Sequence, residues 1–261
     1  MTNKKITVEI AEGLGNQLFM YSYAYALSKK LGYNLLIDDT SGFSKKKNRL
    51  RKHQQYMLNH FNIKQDIAHP SLKYDNFYKQ YKKKIEFIID KFSIKKKFIK
   101  EKNIKIEGNK IAMPMNITSS NKLSDFLYVQ GNFENESYFK HLRNDIVNMY
   151  KPLEKHIDRD NLIINDLKQT NSVSIHIRIN KYIEQPHEKN NKKSLLKAEL
   201  FTKNIIDYTD RAISFFKNKI DNPIFFIWSD DLDAIKHYFK GSNFHFISGN
   251  DVVNDFNLFS Y

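Results

Sequence analysis

The chain has 261 residues, 41% hydrophobic and 14% aromatic, with no cysteine and a formal net charge of +14. That length serves one large domain or two modest ones, and the lack of cysteine excludes a disulfide framework and a thiolate zinc site. No apolar run approaches the ~20 residues of a membrane span, and the start Met-Thr-Asn-Lys-Lys-Ile is too polar for a signal peptide, so a cytoplasmic chain beginning at Met1 is expected.

The charge gathers in Lys45 to Lys47 with Arg49, Arg51 and Lys52, in Lys82 to Lys84 and in Lys95 to Lys97. Such runs suit anionic lipid heads or a nucleotide-sugar as well as nucleic acid. A general abundance of Lys and Asn explains most of the charge. With no zinc-ligand spacing and no aromatic RNA-binding pattern, a nucleic-acid role rests on lysines alone and is not expected. Peripheral contact with the inner face of a membrane through the lysine runs is.

Ile6 to Ile10 alternates as a short strand, Gly13-Leu14-Gly15 forms a turn, and Met20, Ala24, Leu27 and Leu31 recur at helical spacing before Gly32. Tyr33 to Ile37 is a second strand. Strand, helix, strand in the first forty residues implies a parallel sheet and a right-handed crossover. Gly13 and Gly15 make half of a dinucleotide fingerprint and read first as residues of a tight turn. Asn16 and Gln17, at the helix N-terminus, offer two amides to a sugar.

From Ser41 to about Asn121 the pattern loosens, with a helix suggested at Tyr56, Met57 and Phe61 and a short helix or strand at Ile85 to Phe92. Phe126 to Gly131 is a buried strand. Phe139, Leu142, Ile146 and Met149 mark a helix over Glu136 to Tyr150, which Pro152 ends. Pro152 to Thr170 is a polar crossover with one helical pattern at Leu162, Ile163 and Leu167.

The second half opens at Ser172, where Val173, Ile175 and Ile177 share one strand face and Ser174, His176 and Arg178 the other. Ligands of open parallel sheets sit beyond the carboxyl ends of the strands, which sets Arg178 at a crevice with its guanidinium available to a phosphate. A helix follows over Lys197 to Lys219, then the apolar run Pro223 to Trp228 as a strand buried on both faces. Ser229, Asp230, Asp231 and Asp233 stand where a helix wants its N-cap and first-turn acids, a capping role worth ~1 kcal/mol. Phe244 to Ile247 and Val252 to Tyr261 add a strand and a helix. The alternation is that of two α/β halves joined near residue 160, with a cleft between them.

Taken together, Gly13-Leu14-Gly15-Asn16-Gln17-Leu18-Phe19, Ser174-Ile175-His176-Ile177-Arg178 and Phe225-Phe226-Ile227-Trp228-Ser229-Asp230-Asp231 resemble the α1,2-fucosyltransferases of glycosyltransferase family 11. Val129-Gln130-Gly131-Asn132-Phe133 with Ser137-Tyr138-Phe139, and Asp255-Phe256-Asn257-Leu258-Phe259-Ser260, are similar to two further shared segments. The resemblance implies a GT-B-like α/β fold of two Rossmann-like domains whose parallel sheets face each other across a cleft. The acceptor-side domain falls over 1–160 and the donor domain over 161–261. It further implies inverting transfer of fucose from GDP-fucose to the 2-hydroxyl of a galactose-terminated glycan, lipid-linked in one version, with no cofactor and no metal. Donor binding then falls to His176, Arg178, Ser229, Asp230 and Asp231, while Gly13, Gly15, Asn16 and Gln17 belong to the acceptor side. Arg178 matches the first arginine of the family's His-x-Arg-Arg-Gly-Asp pattern and is the catalytic cation, answering the charge that grows on departing GDP.

A rival takes Asp231-Leu232-Asp233 as the Asp-x-Asp metal site of the other large nucleotide-sugar transferase fold, although its place near the end of the chain is wrong for that fold. Glu184, Asp230 and Glu12 are each conceivable bases. Three departures from the family stand out. Ile179-Asn180-Lys181 replaces Arg-Gly-Asp, so Lys181 brings a point charge and not a fork. Glu12 stands where the family commonly has glycine. The chain stops at Tyr261, short of the family's last strand and Phe-Ser-Trp-Trp segment, which makes the second domain incomplete. Beside an active enzyme, the expectation therefore includes a truncated, weak or inactive transferase that only binds nucleotide or glycan.

Overall fold

The computed structural model of the chain describes residues 4–43, 54–64, 66–101, 106–107, 110–111, 122–154, 162–180 and 186–260. The backbone divides into two compact units, Met1–Leu153 and Glu154–Tyr261.

The first unit is laid on a sheet of four strands, β1 (Lys5–Glu9), β2 (Asn34–Asp38), β3 (Lys95–Lys100) and β6 (Lys122–Gln130), in the order β2-β1-β6-β3. Every pairing is parallel. A short antiparallel pair, β4 (Ile106–Glu107) and β5 (Lys110–Ile111), lies in sequence between β3 and β6. Ile6, Val8, Leu127 and Val129 are buried in this sheet. Helix α1 (Leu14–Leu31) buries Leu14, Leu18, Met20, Ala24 and Leu27, and it ends on Gly32 at φ 67°, the left-handed position glycine adopts most cheaply. The crossover unit read from the first forty residues is present.

The loosely patterned middle holds more order than its sequence suggests. Ile85 to Phe92 is the second half of helix α2 (Phe77–Phe92), which Asn76 caps by accepting the Lys79 N–H. The helix suggested at Tyr56, Met57 and Phe61 is only a 3-10 turn, Leu58–His60. The stretch Glu136 to Tyr150 is also not one helix. Two 3-10 turns, Glu136–Tyr138 and Lys140–Leu142, precede α3 (Arg143–Met149), and Phe139 between them leaves helical geometry at φ −135°. That break seats the Phe139 ring against Ala26 and Phe19.

The second unit contains α4 (Leu162–Gln169), β7 (Ser172–Ile177), α5 (Pro186–Lys189), α6 (Lys192–Lys217), β8 (Ile224–Ser229), α7 (Leu232–Ile235), β9 (Phe244–Phe246) and α8 (Val252–Leu258). Its sheet, β7-β8-β9, is parallel throughout. β8 is buried on both faces, as its unbroken apolar run requires. Phe225 and Ile227 pack with Val173, Ile177 and the α6 residues Ile206 and Ile213. Phe226 and Trp228 pack on the other side with Ile164 and Leu167 of α4 and Leu258 of α8. The molecule is thus a mixed α/β protein with parallel sheets.

Candidate functional site

In the second unit, the parallel register places His176 beside Trp228 and Ile177 beside Ser229. Ile179 joins Val173 and Ile177 in the α6-side core, so Arg178, exposed between two buried neighbours, faces away from that core. The backbone just past β7 is tied to the end of β8 by one carboxylate. Asp230 accepts the Ile179 N–H at 2.9 Å and the Asn180 N–H at 3.1 Å. Bonds to a charged acceptor are worth about 1.5–3 kcal/mol each, so this pair sets the path of the chain on which Arg178 sits.

The neighbouring acids have local partners. Ser229 Oγ accepts the Asp231 N–H, and Asp231 caps α7 by accepting the Ala234 N–H at 3.1 Å. Asp233 is exposed and paired with Lys236 at 2.9 Å. The hydrogen bond and positive charge of Lys236 hold its carboxyl below the usual range. Among the described residues, no three or more His, Asp or Glu side chains converge in a group that could hold a metal ion. His176 is exposed and meets Phe259 edge to face at 6.3 Å, and Phe259 meets Trp228 at 5.2 Å. The Trp228 indole N–H is buried and has no hydrogen-bond partner among the described residues. Arg178, Ser229 and Asp230 therefore share the strand end, Asp231 caps the helix beyond it, and His176 stands one step back. Lys181 and Glu184 lie outside the described residues.

In the first unit, the turn into α1 does not depend on its two glycines. Gly13 has φ −77°, and an added Cβ at Gly13 or Gly15 would meet nothing within 4 Å. The left-handed residue is Glu12, at φ 65°, where the resembled family carries glycine. Asn16 is half-buried and donates to the Glu12 carboxylate. Gln17 is fully buried. Its amide donates to the carbonyls of Glu12 at 2.8 Å and Gln55 at 2.7 Å and accepts the Met57 N–H at 2.9 Å. Gln17 is thereby committed to holding the turn against the segment at 54–57.

A buried polar cluster at the carboxyl ends of β1, β2 and β6 escapes the sequence reading. The Tyr128 hydroxyl lies 2.8 Å from Glu9 Oε2 and 2.7 Å from Asp38 Oδ2. The buried Lys83 ammonium pairs with Glu9, and Gln130 donates to Glu9 Oε1 at 3.1 Å. Asp38 also accepts from the Ser41 hydroxyl at 2.6 Å and the Ser41 N–H at 2.9 Å. Burial, then the charges of Glu9 and Asp38, push the Tyr128 phenol well up, so it remains a donor. One signal was available: Thr7 and Glu9 alternate with Ile6 and Val8, which places a carboxylate at a strand end.

The sequence is similar to an alpha-1,2-colitosyltransferase of Escherichia coli, with 27% identity over 264 residues that cover 98% of this chain and 80% of the relative. It is similar also to the O-antigen biosynthesis glycosyltransferase WbnK of Escherichia coli, 27% identical over 260 residues, covering 92% of this chain and 78% of that protein. The crystal structure of NodZ alpha-1,6-fucosyltransferase co-crystallized with GDP aligns over 98% of this chain and 81% of that one, with a TM-score of 0.46 and 11% identity. No protein-family model matches.

Proposed function

We propose, from the premise that this chain is a glycosyltransferase of the family 11, α1,2-fucosyltransferase-like group, that it moves fucose or colitose from a GDP-linked donor to the 2-hydroxyl of a galactose in a glycan. The two relatives support the reading of the chain as a sugar transferase, and the name of the first supplies the α1,2 linkage and one of the two sugars.

The observation that carries the proposal is Arg178 at the carboxyl end of β7, on a backbone that Asp230 ties to β8. Departure of GDP leaves negative charge on the diphosphate while the sugar gains oxocarbenium character, and a guanidinium held in place lowers the cost of that charge. In this reading Asp230 is a positioning residue, since its carboxylate is bonded to two amides. The second unit holds the donor. Charge on the departing diphosphate is met by Arg178, and the structural roles of Asp231 as a cap and Asp233 as the partner of Lys236 support a reading without metal.

The test is incubation of the full chain with GDP-fucose or GDP-colitose and a β-galactoside acceptor, reading GDP release and the linkage of the product. Turnover with one of these donors and a new bond at the galactose 2-hydroxyl is expected. Arg178→Ala, with an unchanged circular dichroism spectrum, should lose about 10²–10³-fold in rate, as when a positioned transition-state donor is removed. Unchanged turnover in that variant would remove Arg178 from the chemistry, and a product formed only from a different donor would remove the proposed reaction.

A further inference from the structure

Helix α2 is built inside out. With about 100° of rotation per residue, Phe77, Tyr78, Tyr81, Ile85, Ile88, Ile89 and Phe92 fall within one stripe roughly 120° wide. All seven are exposed, Phe77 by 79% and Phe92 by 86%, and Ile94 just beyond the helix is 80% exposed. The opposite face carries the polar residues with one aromatic, Phe87, which packs against Phe98 at 6.0 Å, and it is that face which meets the rest of the unit. Lys83 pairs with Glu9, Lys97 reaches Glu86 at 2.8 Å, and Asp90 accepts the Lys97 N–H at 2.6 Å. A surface helix ordinarily turns its apolar stripe to the core. Here the stripe points outward.

Phe77, Tyr78, Tyr81 and Phe92 together present about three aromatic side chains' worth of surface, on the order of 600 Å². That equals the largest apolar patch of an ordinary monomer before the three isoleucines are added. The borders of the stripe indicate its occupant. Exposed Lys82 runs along one side, and exposed Lys84 and Lys91 along the other. Lysine is depleted in protein–protein interfaces, whereas at a bilayer its stem lies along the apolar surface and its ammonium reaches phosphate. The helix is 16 residues long, about 24 Å, and no described helix is long and apolar enough to cross a membrane.

We propose that α2 is a membrane-surface helix whose Phe, Tyr and Ile stripe enters the headgroup–acyl boundary of an anionic bilayer, with Lys82, Lys84 and Lys91 on lipid phosphates. The helix lies in the plane of the interface. This holds whichever sugar the chain transfers.

The test is flotation of the full chain with phosphatidylethanolamine vesicles containing phosphatidylglycerol, and with vesicles of phosphatidylcholine alone. Wild type is expected to partition onto the anionic vesicles. Ile85→Asn, Ile88→Asn and Phe92→Ser should each weaken that partition about tenfold, and combined about a thousandfold, the equivalent of ~4 kcal/mol. Lys84→Gln with Lys91→Gln, on exposed positions that leave the stripe intact, should weaken it about 25-fold at low salt. That is fivefold per lysine, the equivalent of ~1 kcal/mol each, and raised salt should erase the difference. Equal partition of wild type and both variants would overturn the proposal, as would failure of wild type to bind either vesicle. A wild-type dimer that the stripe variant dissociates, without vesicle binding, would assign the face to a second copy of the chain.

Discussion

Glu12 carries the backbone cost of the first turn. A non-glycine residue at φ 65° costs about 1–2 kcal/mol, and the bond from Asn16 to its carboxylate repays part of that. Glu12→Ala keeps the strain and loses the bond, whereas Glu12→Gly loses both. The glycine variant should therefore be the more stable of the two by about 1 kcal/mol, read from urea unfolding midpoints. A more stable alanine variant would show that the turn relaxes to another conformation. At Arg178 the expected loss is one of shape as much as charge. Arg178→Lys keeps the charge but cannot present a planar fork to a diphosphate, so its turnover should fall nearly as far as that of Arg178→Ala. Wild-type kcat in the lysine variant would reduce the role of Arg178 to that of a point charge.

Among the elements, β1, α1 and β2 were legible because their apolar residues follow the period of the structure they form, and β8 because it is apolar throughout. β3 was not, and of α2 only Ile85 to Phe92 was suggested, because lysines interrupt both. Four of the six residues of β3 are lysine, and the lysines that hide the strand fasten it to α2. Lys96 donates to the carbonyls of Asp90 and Lys91 at the helix C-terminus, Lys97 pairs with Glu86, and Lys100 stands over the Phe87 ring at 3.6 Å. The apolar period that α2 carries belongs to its outward stripe, and on the side that meets β3 only Phe87, against Phe98 at 6.0 Å, stands among the ions. At the second strand end, Arg178 could be placed from alternation alone, whereas the hold of Asp230 on Ile179 and Asn180 joins residues some fifty apart and leaves no local pattern. The α2 joint should respond to mutation as a buried ion pair does. Lys83→Met leaves the Glu9 carboxylate buried without its ammonium and should cost about 3–5 kcal/mol in urea unfolding. Adding Glu9→Gln should recover much of that loss. A single variant within 1 kcal/mol of wild type, on the order of a surface pair, would mean that the pair is solvated.

Across the whole molecule, alkali should be a stronger denaturant than acid chemistry alone suggests. Burial raises the phenols of Tyr21, Tyr23, Tyr56, Tyr74, Tyr128 and Tyr150 above their ordinary value of 10.0, with neighbouring acid charge adding at all but Tyr150 and hydrogen bonds donated to acids adding at Tyr74 and Tyr128. Above pH 10 the unfolded chain binds fewer protons than the folded one. The stability these tyrosines lend is therefore complete below pH 10 and is lost as pH rises through it toward the folded values. Urea midpoints should fall between pH about 9 and about 11, with phenolate absorbance appearing together with unfolding. A flat profile over that range would show that these phenols titrate in place. Transfer activity, by contrast, should be unchanged by EDTA, because Asp231 and Asp233 are engaged with the Ala234 N–H and Lys236. Loss in chelator with rescue by manganese would restore the Asp-x-Asp reading.

The packing around Trp228 has a spectroscopic consequence. It is the one tryptophan in the chain, it lies in β8 of the second unit, and its ring meets Phe259, which in turn meets His176. Light absorbed selectively by tryptophan therefore interrogates the second unit alone, while the tyrosines of the first stay dark. Unfolding of the second unit can therefore be followed by its own emission, and occupation of the adjoining strand end is reported by a fluorophore the sequence already contains.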